Sequence, residues 1–161
     1  MKTTHVITKL EVLSPAFESY DLIPEKYSCD GEEVNPPFQI EGLGPDVISL
    51  AIIVEDPDAM KGTFDHWLIW NIKPQQHIPE NLSAGVQGKN GAGKTGYTGP
   101  CPPTGIHHYH FKIFALDAML DLEEGSSKKE LEHAMKKHII GQGELIGLYT
   151  RPEKNGEHND H

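Results

Sequence analysis

Val6 to Leu13 alternates apolar and polar side chains until Ser14-Pro15 stops it, the pattern of a half-buried strand. Val47 to Asp56 is almost continuously apolar and ends at Asp56-Pro57, which suits a central strand covered on both faces. Phe64 to Lys73 is a second run of this kind, closed by Pro74. From Ile106 to Asp117 the alternation returns: His107, Tyr109, Phe111, Ile113 and Ala115 point one way, and Ile106, His108, His110, Lys112, Phe114 and Leu116 the other. Glu144 to Thr150 supplies a last strand. Helical periodicity is confined to one place. Ser127 and Glu130 form a capping box ahead of Leu131, Ala134, Met135 and His138, which predicts a helix from about residue 127 to 139.

Residues 83–105 carry seven Gly and three Pro with few large aliphatics, so they read as a long irregular loop. Loops of that length inside a compact domain usually serve a function. The 16 Gly and 12 Pro of the whole chain agree with short strands separated by many turns. The expected fold class is mainly β, with antiparallel sheets and one or two peripheral helices. The 161 residues are sized for a single domain over 1–151, followed by a polar tail at 152–161.

Charge narrows the partners. With 14 Lys and Arg against 24 Asp and Glu, the formal charge is −10. Nucleic acid is excluded as the main partner, because phosphate neutralisation needs a basic stripe. No apolar run reaches the length of a membrane-spanning helix, and the N-terminus shows neither an apolar signal core nor a cleavage site, so the expected location is cytoplasmic. Cys29 and Cys101 have no metal-ligand spacing. In that compartment they read as two reduced thiols, with a single bridge as the alternative.

Candidate chemistry gathers in three segments: Asp56-Pro57-Asp58-Ala59, Phe64-Asp65-His66-Trp67, and Gly96 to Tyr109. The first ends one predicted strand and the others precede or begin two more. Antiparallel pairing sets the end of one strand beside the start of the next, which would bring Asp56, His66 and His107 to one sheet rim. A metal centre of two His and a carboxylate lacks ligand spacing within any one element. A hydrolase lacks a serine in a nucleophile elbow, and Cys101 is wedged between prolines. Anion recognition fits best: imidazole N–H, tyrosine O–H and glycine backbone N–H groups are donors suited to phosphate oxygens. On the other side, His108, His110, His133, His138, His158 and His161 read as satisfied structural residues, Asp56 and Asp58 fit plain turn positions, and Pro100, Pro102 and Pro103 could simply stiffen the loop.

Taken in order, DPDA, FDHWLIWNI and GYTGPCPPTGIHHYHFKIFALD resemble the signature blocks of the phosphatidylethanolamine-binding protein family, also called Raf kinase inhibitor-like proteins. Ser14-Pro15-Ala16-Phe17, Tyr27 to Gly31, Asn35 to Phe38 and Gly143 to Gly147 resemble its compact bacterial and archaeal, YbhB/YbcL-type branch. The likeness covers about residues 10 to 151 and implies a large antiparallel sheet packed on a smaller one, with a rim pocket for phosphate-type anions, including phospholipid head groups. By position it implies Asp56, His66, Gly99, His107 and Tyr109 as anion-binding residues, with the Gly99 N–H facing the anion. Asp58, Phe64, Pro100 and Pro102 would support or line the pocket. No cofactor, metal or catalytic residue is implied.

This chain departs from that pattern in two places. Met60 follows DPDA where the family has Pro, and His108 replaces the Arg of the HRY block, which puts an Asp58 ion pair at neutral pH in doubt. The C-terminal helix of eukaryotic members is also expected to be missing after Arg151. The leading expectation is a non-enzymatic binding protein, with a soluble phosphate-bearing ligand favoured over a membrane lipid because a charge of −10 is repelled by an anionic bilayer. The alternatives are a kinase or protease inhibitor acting through the exposed 83–105 loop, and a metal-dependent or acid–base hydrolase at the same rim. Homodimerisation is a further expectation from the resemblance.

Overall fold

The computed structural model describes residues 6–152. Two sheets form it. The larger contains β1 (Thr8–Lys9), β4 (Ser49–Asp56), β5 (Phe64–Ile72), β7 (Val86–Gln87), β8 (His107–Leu116) and β9 (Ile139–Tyr149), in the order β1-β9-β8-β4-β5-β7. The smaller joins β2 (Glu11–Leu13), β3 (Phe38–Glu41) and β6 (His77–Ile78). Among the described residues the pairings between these strands are antiparallel except the parallel edge pair β1–β9.

The continuous apolar runs lie where their composition puts them, at the centre and covered on both faces. Leu50, Ile52 and Val54 of β4 face the smaller sheet and pack with Phe38, Ile40 and Phe111. Ala51 and Ile53 face the other way, into a second layer with Leu68, Trp70, Leu131 and Met135. Helix α1 (Lys128–Met135) closes that layer, and its capping box forms as predicted: the Ser127 hydroxyl accepts from the Glu130 N–H, and the Glu130 carboxylate accepts from the Ser127 N–H. The helix ends four residues before the predicted limit, because Ile139 already pairs with Leu116 in the sheet.

Other boundaries moved for tertiary reasons. The single strand expected over 6–13 is two short ones in different sheets, and the chain changes sheet at Leu10, whose N–H donates to the Gln142 carbonyl. The last strand begins at Ile139 rather than Glu144. Its Gly141 and Gly143 are strand residues under the crossing chain; a Cβ on Gly143 would lie 2.3 Å from the Leu10 carbonyl oxygen. Within the 83–105 loop, β7 adds a two-residue edge strand.

Cys29 and Cys101 form a disulfide, with 5.5 Å between their Cα atoms. This corrects the reduced-thiol expectation. Cysteine spacing along the chain does not show which residues meet in space, and the fold sets these two side by side. Among the described residues no helix is long and apolar enough to cross a membrane. The tail expected at 152–161 lies, beyond Pro152, outside the described residues, as do His158, His161 and the region of the expected missing C-terminal helix.

Candidate functional site

The pairing β5-β4-β8 brings the end of β4 beside the starts of β5 and β8. Asp56 stands opposite Phe64, and Glu55 stands opposite both Asp65 and His110. Between Val54↔Trp67 and Glu55↔Asp65 the register slips by one residue, so His66 is the extra residue of a bulge. Such a bulge re-aims a side chain that strict alternation would send elsewhere. Here it allows Phe64, His66 and Trp67 all to reach the inner layer, where the His66 ring meets Phe64 at 4.7 Å and Tyr109 at 5.2 Å between centroids. His107 lies nearly parallel to Tyr109 on the other side, at 6.4 Å.

Both imidazoles are held by their Nδ1 atoms. His107 Nδ1 lies 2.7 Å from Asp56 Oδ2, and the other oxygen of Asp56 accepts the Asp58 N–H at 2.7 Å. Both carboxylate oxygens of a side chain only 2% exposed are thereby used within the protein, which makes Asp56 an orienting group for His107. His66 Nδ1 lies 2.8 Å from the Thr98 carbonyl oxygen. A carbonyl can only accept, so Nδ1 carries the proton, and any second proton must enter at Nε2. Tyr109 is fully buried, and its hydroxyl has no hydrogen-bond partner among the described residues. Burial foremost, then the Asp56 charge, raises its pKa far above the ordinary phenol value, so it remains a neutral O–H donor.

The 97–101 segment is fastened to the loop after the 3₁₀ turn Glu25–Tyr27. Besides the disulfide, the Tyr97 hydroxyl donates to the Tyr27 carbonyl at 2.8 Å and the Cys29 N–H donates to the Pro100 carbonyl at 3.1 Å. Gly99 is required by close approach, since a Cβ there would lie 2.6 Å from the Tyr27 carbonyl oxygen. Its N–H, expected to face an anion, donates instead to Glu33 Oε2 at 3.0 Å. Pro100 and Pro102 are buried beside it.

His108, standing where the resemblance has Arg, partners Asp58 by hydrogen bonds: Asp58 Oδ2 accepts the His108 N–H at 2.8 Å and contacts His108 Nδ1 at 2.7 Å. A neutral imidazole can donate from Nδ1, so the contact needs no permanent charge. The His108 backbone bond, then its side-chain bond, hold the Asp58 carboxyl below the usual range. His110 and His138 are likewise satisfied, by Glu144 and Asp117. Behind the rim, on the helix side of the sheet, Lys128 bridges Glu55 and Asp65 at 2.9 and 2.8 Å, and Lys112 also pairs with Glu55.

Nothing in the sequence singles out Glu33. The one local sign is its left-handed backbone, φ +57°, unusual for a residue with a side chain, and that is visible only once the chain is folded.

The chain is a two-sheet β protein that gathers an aspartate, two histidines and a buried tyrosine at one rim. The phosphatidylethanolamine-binding protein family model matches residues 13–150, and the chain belongs to that family. It is 51% identical over 150 residues to a UPF0098 protein of Pyrococcus horikoshii, covering 86% of this chain and 76% of that protein. It is 41% identical to a UPF0098 protein of Chlamydia muridarum, covering 88% and 99% of the two chains, and these names state no activity. Among solved structures, a putative phosphatidylethanolamine-binding protein homologue of Chlamydia trachomatis superposes with a TM-score of 0.85 at 38% identity, covering 92% of this chain and all of the other. Escherichia coli YbcL superposes with a TM-score of 0.80 at 25% identity, over 89% and 99% of the chains.

Proposed function

We propose that the rim cluster binds a small phosphate-type anion, free or carried by a head group or phosphorylated partner, and does not turn it over. The observation that carries this reading is the Tyr109 hydroxyl: a fully buried donor without a partner among the described residues, flanked by the rings of His66 and His107. Buried polar groups are almost always satisfied, and a phosphate oxygen would satisfy this one. The two imidazoles have Nδ1 fixed, so protonation at Nε2 adds both a donor and a positive charge, and affinity rises toward lower pH. Nucleophilic catalysis through Cys101 is not open to this site, because that sulfur is in the disulfide.

The test is a titration with inorganic phosphate and, separately, phosphoethanolamine, read by the ring resonances of His66 and His107 in the wild type and in His66→Ala. Saturable shifts at both rings, weakened at least tenfold in the variant, are expected. Equal affinity for the two ligands identifies phosphate as the recognised group, and tighter phosphoethanolamine binding identifies the head group. No shift at either ring up to ~50 mM, far weaker than the ~1 mM that corresponds to about 4 kcal/mol, refutes the reading.

A further inference from the structure

The Thr98 carbonyl that accepts from His66 Nδ1 and the Gly99 N–H that donates to Glu33 belong to one peptide group. We infer that Glu33 is a positioning residue for His66, acting through the Thr98–Gly99 peptide: its carboxylate polarises that amide, strengthens the carbonyl as an acceptor, and so fixes the His66 ring with its proton on Nδ1. His107 receives the same treatment directly from Asp56. The two rings of the rim are thus oriented alike, one by a carboxylate in contact and the other by a carboxylate one peptide away.

Several independent observations converge on this arrangement. The Thr98 hydroxyl also points to Glu33 Oε2, at 3.4 Å, and the Thr98 N–H donates to the His66 carbonyl at 2.9 Å, so Thr98 is bonded to His66 through both main-chain groups. Glu33 holds its position at the expense of a left-handed backbone, φ +57°, and its own N–H is tied to the Lys26 carbonyl at 3.0 Å. Strain of that kind persists only where surrounding contacts over-determine the conformation. Chains of hydrogen bonds polarise one another in a low-dielectric interior, which is the physical basis of transmission through the amide.

Tyr109 of β8 meets the His66 ring, and His107, held by Asp56 of β4, meets Tyr109 in turn. Asp65, Lys128 and Glu55 belong to the network on the opposite face of the sheet. The positioning role stands without any ligand, and its consequence for anion binding rests on the function proposed above.

Glu33→Gln tests it, because the glutamine carbonyl still accepts the Gly99 N–H while the charge is removed. In ligand-free protein the His66 Nδ1 proton should move upfield and exchange with water several-fold faster. His107 should not move. A purely structural Glu33 would leave both rings unchanged in this isosteric variant, and that result overturns the proposal. A measurement on the wild type covers the case of a misfolded variant: the ring nitrogen resonances of neutral His66 should place its proton on Nδ1, and a proton on Nε2 also overturns the proposal. Since these readouts use no ligand, a failed phosphate titration beside a positive His66 response would refute anion binding and leave the relay standing.

Discussion

Replacing Cys29 and Cys101 together by Ala removes a cross-link that closes a separation of 72 residues. In the chain-entropy account such a link restricts the unfolded ensemble by ~4 kcal/mol, between ~3 for a fifteen-residue loop and ~4.7 for a hundred-residue one. The native side of the balance should change little. The Tyr97–Tyr27 and Cys29–Pro100 hydrogen bonds join the same two loops, and Gly99 packs directly on Tyr27 and Ser28. The variant should therefore fold with an unchanged pattern of histidine ring resonances while losing most of that ~4 kcal/mol. In urea, with a slope of roughly 2 kcal/mol per molar, the unfolding midpoint should fall by about 2 M. Wild type unfolded in the presence of a reductant should match the variant. A midpoint shift below ~0.5 M would mean that the unfolded chain is already restricted. Displaced His66 and His107 resonances would mean that the bond shapes the native site. Either result refutes this account, in which the bond acts on the unfolded state alone.

Asp56→Ala strips the acceptor from the Asp58 N–H and from His107 Nδ1 in a place only 2% exposed, so a loss of about 2–4 kcal/mol is expected, together with faster exchange of the His107 ring proton. A loss below ~1 kcal/mol in urea unfolding contradicts it. For Glu55, burial pushes the carboxyl up, but the bonds from Lys112 and Lys128 outweigh it and hold the group below its ordinary 4.5. A carboxyl depressed in the folded state adds stability that is full above its unfolded pKa and is lost as pH falls through the folded one. The wild type should therefore lose stability as pH falls below about 5, and Glu55→Gln, weaker at neutral pH, should show a shallower acid slope. Parallel slopes in urea midpoints measured between about pH 6 and pH 3 would refute the assignment.

Much of this protein was legible in the order of its side chains. Two faces of Val47 to Asp56 are apolar because two layers cover it, and a run without alternation has no other stable place in a sheet. The Ser127–Glu130 box started its helix because the capping bonds are local. Asp56, His66 and His107 could be gathered at one rim because antiparallel pairing fixes which strand ends are neighbours, and the block order carried the family.

What the tertiary structure alone decided depends on groups far apart in the chain. The bulge at His66 is a slip between two strands, and no residue of β5 announces it. The glycines at 141 and 143 are explained only by the chain crossing at Leu10. Glu33 reaches Gly99 across 66 positions, and Cys29 reaches Cys101 across 72, so both depend on how two irregular loops dock. Sequence periodicity records which face of an element is buried, because every residue of that element feels the same layer. A single contact between loops leaves no period, and at this rim such contacts determine where the Gly99 N–H and the His66 ring are directed.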